Sequence, residues 1–595
     1  MIILGVNEGH NASAALLMDG KLVAAISEDR PARQTTRSGF PFKAIEECLA
    51  LGGVTKGDIQ RLAISTMHLP PKYFWIPREV FSIRDFWREQ NDYWKPRLFE
   101  GRRPVYMDVF KDKVDVSRFV YDSALIKDED DSEGMLEARL RHHERFFGLP
   151  RDRITVYDHH TCHAWYAFMV HPRRLEQDLV IFAADGAGDG VNGSVWFGPR
   201  GQPLRALHRT NQCNIGRIYR YATLLLGMKQ FEHAFKTMGL APYGNPKYGA
   251  AAYDVFAETL QVDGLGFSYR VKPRDHFFHF KDKLEGMRFD GIAWGVQKRT
   301  EELLSQWVGN GVRETGCGHV VMTGGVAMNI KANKVVWERS DVESLYVPPG
   351  SGDESLAIGA ACKVAVEFAE VPAETIEGCR PMSTVYLGPS FDDAAIKRLL
   401  ERMEGLEGCR VETVALSRVA QLLAMGRVVG RFAGRAEFGQ RALGNRSILA
   451  DPRPREVVRT INEMIKQRDF WMPFASSVLA ERMPDYVINP KNLQGDFMTL
   501  AFDSTAAGQR DMMGALHPYD HTSRPHAVHR EANPGYHALL SAFAEETGVG
   551  ALLNTSFNLH GEPIVHTPED AISTFLRSGL DHLLLENWLV SKPGK

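Results

Sequence analysis

Twice in its N-terminal half the chain runs an apolar segment into a short polar, Gly-containing stretch and straight on into a second apolar segment. The opening reads IILGV, NEGHN, SAALLM and, after the turn MDGK, KLVAAI. Apolar runs of this length, bounded by Gly, Asn and Asp, are predicted to be buried strands joined by tight turns. DLVIFAADGAGDGVNGSVWFG repeats the shape: strands over Val180–Ala184 and Ser194–Phe197 are expected to flank a turn at Asp185–Asp189. A third Gly-rich element, HVVMTGGVAMNIKANKVV, reads as a buried strand that ends at Gly324-Gly325 and runs into a helix.

Two polar-tipped hairpins and a strand–GG–helix unit make up the layout of a duplicated nucleotide-binding fold of the actin and sugar-kinase kind, an expectation by fold-level analogy, in the α/β class. The 595 residues exceed the roughly 250–300 at which single cores stop growing, so two domains are expected. EVPAETIEGCRPMSTVYLGPSF, rich in Pro, Gly and small polar residues, follows a long helix expected around Leu356–Phe368 and marks the boundary between domains 1–375 and 385–595. From Asp392 onward, helices alternate with apolar strands (RVVGRFA, GALLN), the pattern of a second α/β domain. An insertion at about 70–150 carries an aromatic and basic stretch at 73–110. Such residues can line a pocket for a bulky acceptor, but packing as a helical cap is the favoured reading, and no residue there is assigned to a site.

Seven scattered cysteines without a CxxC pair argue against a disulfide framework or a thiolate zinc site. The first residues show no basic and apolar leader, and no apolar run approaches the ~20 residues of a membrane-spanning helix, so a cytoplasmic protein without membrane contact is expected. A net charge of −3 and a pI of about 6.7 leave no global field for nucleic acid.

VYDHHTCHAWYAF sets His159 and His163 a helical turn apart, where both imidazoles can reach one ion, with His160 directed elsewhere. Asp185 and Asp353 are the carboxylate partners available from elsewhere; equally, Asp185 suits a turn and Asp353 a helix N-cap. Two histidines with carboxylates and no cysteine suit Fe(II), Mn(II) or Zn(II), iron being favoured. Thr323–Asn329 lets backbone approach a nucleotide, and a GG turn also serves tight strand–helix packing. In the second domain GRFAGRAEFGQRALGNRSILADPR clusters Arg435, Arg441 and Arg446, followed by Lys466, Arg468, Arg524 and the polar run Asn554, Ser556, Asn558. Arginine forks interleaved with Gly and apolar residues point to a phosphate or carbamoyl-type anion pocket.

Taken in order, GHNASAALL, SEDRPARQTTRSGFP, HHTCHA, DGAGDG, FKTMGLAPYG, TGGVAMNIKAN, GDESLAIGAA, EFGQRALGNRSILADPR, FASSVL and LLNTSFNLHGEPIVHTPEDA resemble the O-carbamoyltransferases of nodulation-factor and antibiotic tailoring, over nearly the whole chain. The resemblance implies an N-terminal metal-binding domain similar to tRNA threonylcarbamoyl transferase and a C-terminal YrdC-like domain. It implies that the latter makes carbamoyladenylate from carbamoyl phosphate and ATP with Mg2+, and that the former passes the carbamoyl group to a hydroxyl of a small natural product. Carried over by position, His159, His163, Asp185 and Asp353 would hold Fe2+ or another divalent transition metal, and Gly324, Gly325 and Asn329 the adenylate. Arg441, Arg446, Lys466, Arg524 and Ser556 would bind carbamoyl phosphate or ATP. His10, in the first hairpin tip, is either the base near the acceptor or a plain turn residue.

The chain departs from the family pattern at Gln34–Arg37, Ser355, Met472 and Ser476, none of them a metal ligand. Rival readings are a tRNA threonylcarbamoyl-type enzyme, disfavoured by the neutral pI, and a non-catalytic regulatory ATPase, which would have no need of two anion-rich sites. The acceptor and oligomeric state are left open, a homodimer being one arrangement available.

Overall fold

The computed structural model describes residues 1–379, 382 and 384–594. The boundary expected between 375 and 385 includes residues 380, 381 and 383, which lie outside the described residues. The chain separates into two compact units, Met1–Glu28 with Thr36–Met382, and Asp29–Thr35 with Ser383–Lys595.

The first unit holds two five-stranded sheets of one topology. β1 (Ile2–Asn7), β2 (Ser13–Met18), β3 (Lys21–Ser27), β4 (Arg61–Ser65) and β5 (Ile154–Tyr157) lie in the order β3-β2-β1-β4-β5. β6 (Leu179–Gly188), β7 (Val191–Gly198) and β8 (Arg205–Thr210) form the second sheet's hairpins; a separate hairpin, β9 (Leu260–Asp263) and β10 (Gly266–Tyr269), comes before β11 (His319–Thr323) and β12 (Ser344–Tyr346). The second sheet runs β8-β7-β6-β11-β12. In both sheets the first three strands are antiparallel neighbours, and the fourth and fifth run parallel to the first. This is the duplication anticipated from the two hairpins.

β1 is central, and its side chains alternate between two covers. Leu4 and Val6 join a core with Ala14, Leu16, Ile45, Leu49 and Phe147, whereas Ile3 joins Leu356, Ala360 and Val364 of the helix Leu356–Glu367. Gly5 allows that helix onto the sheet, since a Cβ there would lie 1.8 Å from the Ala357 carbonyl oxygen. The helices that follow β5 and β12 are exchanged: His159–Val170 packs on β6, β7 and β11, and Leu356–Glu367 on β1, β2 and β4, the two helices lying against each other. Gly359 makes that crossing close, because a Cβ would meet the Cys162 carbonyl oxygen at 1.9 Å. The insertion packs as anticipated: Ile76, Phe81, Phe86, Tyr93, Tyr106 and Phe110 form one buried cluster with Leu224 and Phe277.

The turn expected at Asp185–Asp189 is displaced. β6 continues through Gly188 with an irregularity after Ala184, and Gly188 pairs with Val191. The two-residue loop is Asp189-Gly190, both at positive φ (52° and 75°), the Asp-Gly chemistry that tight hairpins demand. Asp185 therefore projects from a strand irregularity, not from the tip.

The second unit is α/β with an eight-stranded mixed sheet. Its strands are β13 (Arg410–Thr413), β14 (Val429–Phe432), β15 (Arg446–Ala450), β16 (Ala475–Leu479), β19 (Pro525–Val528), β20 (Ala551–Ser556), β21 (His582–Leu585) and β22 (Trp588–Ser591); β17 (Val487–Ile488) and β18 (Asp503–Ser504) pair separately. The order is β13-β22-β21-β14-β15-β20-β16-β19. Phe432, Ile448, Leu553, Phe557, Phe575 and Leu583 lie in its core. Asp29–Thr35 is stitched into this unit: Arg30 donates to the carbonyls of Glu437 and Gly439, and Arg33 donates to the Ile564 carbonyl (2.7 Å) and lies 3.4 Å from Asp570. Among the described residues no helix is long and apolar enough to cross a membrane.

Candidate functional site

His159 is the first residue of its helix, and Asp158 caps that helix by accepting from the Thr161 amide at 3.1 Å. Asp189, on the displaced turn, accepts from the amides of Met67 (2.9 Å), His68 (2.6 Å) and His159 (2.8 Å), pinning the helix start. A side chain on Gly188 would strike the His159 ring at 2.3 Å.

These restraints gather His159, His163, Asp185 and Asp353, whose candidate ligand atoms all lie within 4.8 Å of one another. The two Nε2 atoms are 3.1 Å apart; His163 Nε2 is 3.3 Å from Asp185 Oδ2, and Asp353 Oδ1 is 3.4 Å from His159 Nε2 and 3.6 Å from His163 Nε2. Asp353 opens a short 3-10 turn whose N-cap is Gly352, so its side chain is not spent on capping. Burial opposes charge on all four groups. The carboxylates nevertheless raise the pKa of both imidazoles, and the imidazoles hold both aspartates below their usual range. The quartet thus demands positive charge, as protons or as a cation. Two imidazoles, two ionised carboxylates and no thiolate fit a divalent transition metal. His160 is directed away, its Nδ1 3.1 Å from Ser194 Oγ, and burial keeps it neutral.

A supporting chain behind His159 carried no sequence signal. Thr66, a β-branched residue at φ 65°, occupies a conformation such residues rarely adopt. Its amide donates to the Tyr157 carbonyl (2.9 Å), its own carbonyl accepts from Arg139 (2.8 Å), and its Oγ1 lies 3.2 Å from His159 Nδ1. Arg139 is in turn fixed by the fully buried Glu8 at 2.7 Å, which also meets Tyr121 and His143. Burial would raise the Glu8 pKa, but Arg139, His143 and Tyr121 hold it well below the usual carboxylate range.

Gly324 has φ 87°, and a Cβ would lie 2.2 Å from the Ala184 carbonyl oxygen. Gly325 donates its amide to Asp185 Oδ2 at 2.9 Å, so this pair of glycines seats the backbone against the aspartate. Asn329 caps the helix Ile330–Trp337 through the Ala332 amide (3.1 Å) and exchanges hydrogen bonds with Gln297 (2.9 and 3.1 Å). His10 is exposed at the first hairpin tip, its ring 5.9 Å from Phe231. Asn7 Nδ2 ties that tip to the Asp353 loop, 3.0 Å from the His10 carbonyl and 3.1 Å from the Asp353 carbonyl.

In the second unit the expected anion residues divide into two sets. Lys466 donates to Ser556 Oγ (3.0 Å) and Asn558 Oδ1 (2.6 Å), and its pKa is pushed well below the usual lysine value by burial and then by Arg468. Arg524 is pushed well below the usual arginine value by burial, Arg441 and Arg468; Arg468 is pushed down to about 10 by burial and Arg441. Neither Arg468 nor Arg524 has a hydrogen-bond or ion-pair partner among the described residues. Buried cations set close together, two of them without an ion-pair partner, would suit a bound anion.

Arg446 falls outside this set. Fully buried, it donates to the carbonyls of Ala433, Gly434, Asn445 and Pro389 at 2.9–3.1 Å and stacks 3.6 Å over Phe432. Arg435 likewise donates to the carbonyls of Gly388 and Leu387. These guanidiniums hold loops in place, and glycine-spaced arginines read as one cluster in the sequence serve two purposes in the fold.

Comparison with known proteins agrees with this two-unit description. The profile described as Carbamoyltransferase N-terminus matches residues 2–362, and that described as Carbamoyltransferase C-terminus matches residues 420–592. The chain is 31% identical to the Nodulation protein NolNO of Sinorhizobium fredii, over 98% of this chain and 79% of that one. It is 34% identical to the Nodulation protein NolO of Bradyrhizobium diazoefficiens, over 73% of this chain and 79% of that one. An uncharacterized protein of Synechocystis is 30% identical over 99% of this chain and 96% of its own length. The chain, a transferase, belongs to the carbamoyltransferase family.

Proposed function

We propose that this enzyme is an ATP-dependent O-carbamoyltransferase of the cytoplasm. In this reading the second unit condenses carbamoyl phosphate with ATP and Mg2+ into carbamoyladenylate, releasing phosphate and pyrophosphate. The first unit then passes the carbamoyl group to a hydroxyl of a small natural product, with AMP leaving. The observation that carries the reading is the coexistence, on a carbamoyltransferase chain, of a buried His-His-Asp-Asp quartet and a separate set of buried cations in which Arg468 and Arg524 have no ion-pair partner among the described residues.

Arg441, Arg468, Arg524 and Lys466 would neutralise negative charge on the transferring oxygens. Ser556 and Asn558 hold the Lys466 ammonium in place for this. In the first unit His159, His163, Asp185 and Asp353 would hold Fe2+ or another divalent transition metal, which when bound would act as a Lewis acid toward the carbamoyl group and phosphate. Gly325 orients Asp185 through its amide, and Thr66 orients His159 through its hydroxyl. His10, on a tip tied to the Asp353 loop by Asn7, would accept the proton of the attacking hydroxyl.

The test is pyrophosphate release from ATP with and without carbamoyl phosphate, followed by mass spectrometry of candidate alcohols for a gain of one carbamoyl unit. Strict dependence on carbamoyl phosphate supports the reading. ATP turnover indifferent to it would favour a regulatory ATPase, and carbamoyl-type transfer to bulk tRNA would favour an RNA-modifying enzyme.

A further inference from the structure

The helix Ile215–Leu225 starts against the Asp185 strand: a Cβ on Gly216 would lie 3.3 Å from the Gly186 amide nitrogen and 3.4 Å from the Asp185 carbonyl carbon. Arg220 follows one turn later on the same face. Its Nη1 is 3.7 Å from where a side chain on Gly186 would begin. The guanidinium lies 4.6 Å from the centroid of Phe231, and its Nε is buried without a hydrogen-bond partner. Arg78, from the insertion, approaches the same ring at 5.4 Å, stacks 3.8 Å over Tyr73, and also has a buried, unbonded Nε. His10 meets Phe231 from the hairpin tip. One ring therefore gathers two arginines and a histidine beside a candidate metal ligand.

Among the described residues no carboxylate pairs with Arg220, and Glu79, beside Arg78, is paired with Arg118 at 3.7 Å. Glu89 is committed to Arg78 and to the Tyr106 hydroxyl at 3.0 Å. Asp275 caps its own helix by accepting from the Phe278 amide at 3.0 Å. Arg217, a third cation here, has no hydrogen-bond or ion-pair partner among the described residues. Burial depresses the Arg220 pKa; Tyr221 opposes this, and Arg217 and Arg78 add to it. A bound anion would relieve both the burial and the repulsion. The preceding residue, Tyr219, donates to Gln297 at 2.8 Å, and Gln297 pairs with Asn329. Consecutive helical residues diverge by about 100°, so the face toward the residues expected at the adenylate is not the face that carries Arg220.

We infer that Arg220 and Arg78, with Phe231, Tyr73 and His10, form the acceptor subsite, and that the hydroxyl-bearing acceptor carries an anionic group such as a carboxylate, sulfate or phosphate. Arg220 and Arg78 grip the anion, while Phe231 and Tyr73 flank the apolar or sugar body. This inference rests on the proposed carbamoyl transfer and names its substrate class.

Phenyl β-D-glucuronide and phenyl β-D-glucoside share a ring and sugar hydroxyls and differ by a carboxylate. Titrated calorimetrically into the full-length protein, the glucuronide should bind at least about tenfold more tightly, as one charge-assisted contact predicts. Arg220→Met should erase that preference and Arg220→Lys retain part of it. Equal affinities, absence of binding by both probes, or a preference unchanged in Arg220→Met would overturn the inference. So would a loss of AMP affinity in Arg220→Met with the glucuronide preference intact, which would assign the arginine to the adenylate. If Arg220→Met fails to fold, the wild-type comparison and Arg220→Lys still decide. Carbamoyl-phosphate-dependent pyrophosphate release, measured without acceptor, reports separately on the proposed function.

Discussion

Replacing Gly359 by alanine tests how the crossing helices build the His-His-Asp-Asp quartet and the metal affinity proposed for it. The added Cβ would lie 1.9 Å from the Cys162 carbonyl oxygen, 2.7 Å from its carbon and 3.1 Å from Cα, all backbone atoms that cannot rotate away. Ordinary contact begins near 3.4 Å, so the helices must part by about 1.5 Å, the difference between 3.4 and 1.9. Cys162 sits between His159 and His163 on one helix, and Asp353 opens the 3-10 turn that leads into the other. Ligand constellations tolerate displacements of about 0.5 Å, so the separation should pull Asp353 out of reach of the imidazoles. Overpacking costs about 1–3 kcal/mol, and alanine in place of glycine in a helix returns about 1 kcal/mol. Gly359→Ala should therefore fold with wild-type circular dichroism and a slightly lower Tm, yet bind Fe(II) roughly 10- to 100-fold more weakly in an anaerobic titration. Gly378→Ala, where a Cβ meets nothing within 4 Å, is the control and should match wild type. Wild-type metal affinity and Tm in Gly359→Ala would refute the reasoning.

Four further outcomes are expected. Arg446→Met removes the guanidinium that the Ala433 and Gly434 carbonyls accept from, and a second donor from the Asn445 and Pro389 carbonyls, which also accept from the Ala433 and Ala436 amides. It should destabilise the second unit by about 2–3 kcal/mol, whereas Arg524→Met should leave Tm unchanged or raised while weakening carbamoyl phosphate binding about 10- to 100-fold, and thermal denaturation and calorimetry separate the two. A bound anion raises the depressed pKa of Lys466, so carbamoyl phosphate binding should take up a proton and weaken as pH rises, visible as a dependence of binding heat on buffer ionisation enthalpy. Glu8 titrates below its usual 4.5, so the stability it supplies is present above that pH and is lost as pH falls. Glu8→Gln should accordingly cost about 3–5 kcal/mol at neutral pH and flatten the acid limb of the Tm profile. His160→Ala should keep its metal, because that ring faces Ser194, and metal analysis after loading and desalting would show it.

Local pattern carried most of what was legible in advance. The paired hairpins, the strand–GG–helix unit and the HxxxH helix each follow from short runs whose periodicity and turn residues settle their conformation, and they place His159, His163 and the first polar tip. DGAGDG reads as one turn over Asp185–Asp189, and only the cross-strand pairing of Gly188 with Val191 narrows it to Asp189-Gly190 and leaves Asp185 on the strand. The arginine cluster misled in part: a guanidinium bonded to carbonyls and one awaiting an anion look alike in sequence, and Arg446 is separated from Arg524 only by what folds around it. Thr66, Arg139 and Glu8 gave no signal, since their partners lie far along the chain. The aromatic composition of the insertion favours packing, which Phe81, Phe86 and Tyr106 perform, while Arg78 within it approaches Phe231.

The most direct test is the metal content of the full-length protein after anaerobic Fe(II) loading and desalting, compared between wild type and the double variant His159→Ala/His163→Ala, with carbamoyl-phosphate-dependent pyrophosphate release recorded on both. About one ion per chain is expected in wild type, none in the variant, and an undiminished pyrophosphate-forming reaction in both. No ion in wild type, or equal loading of the two proteins, would contradict this expectation.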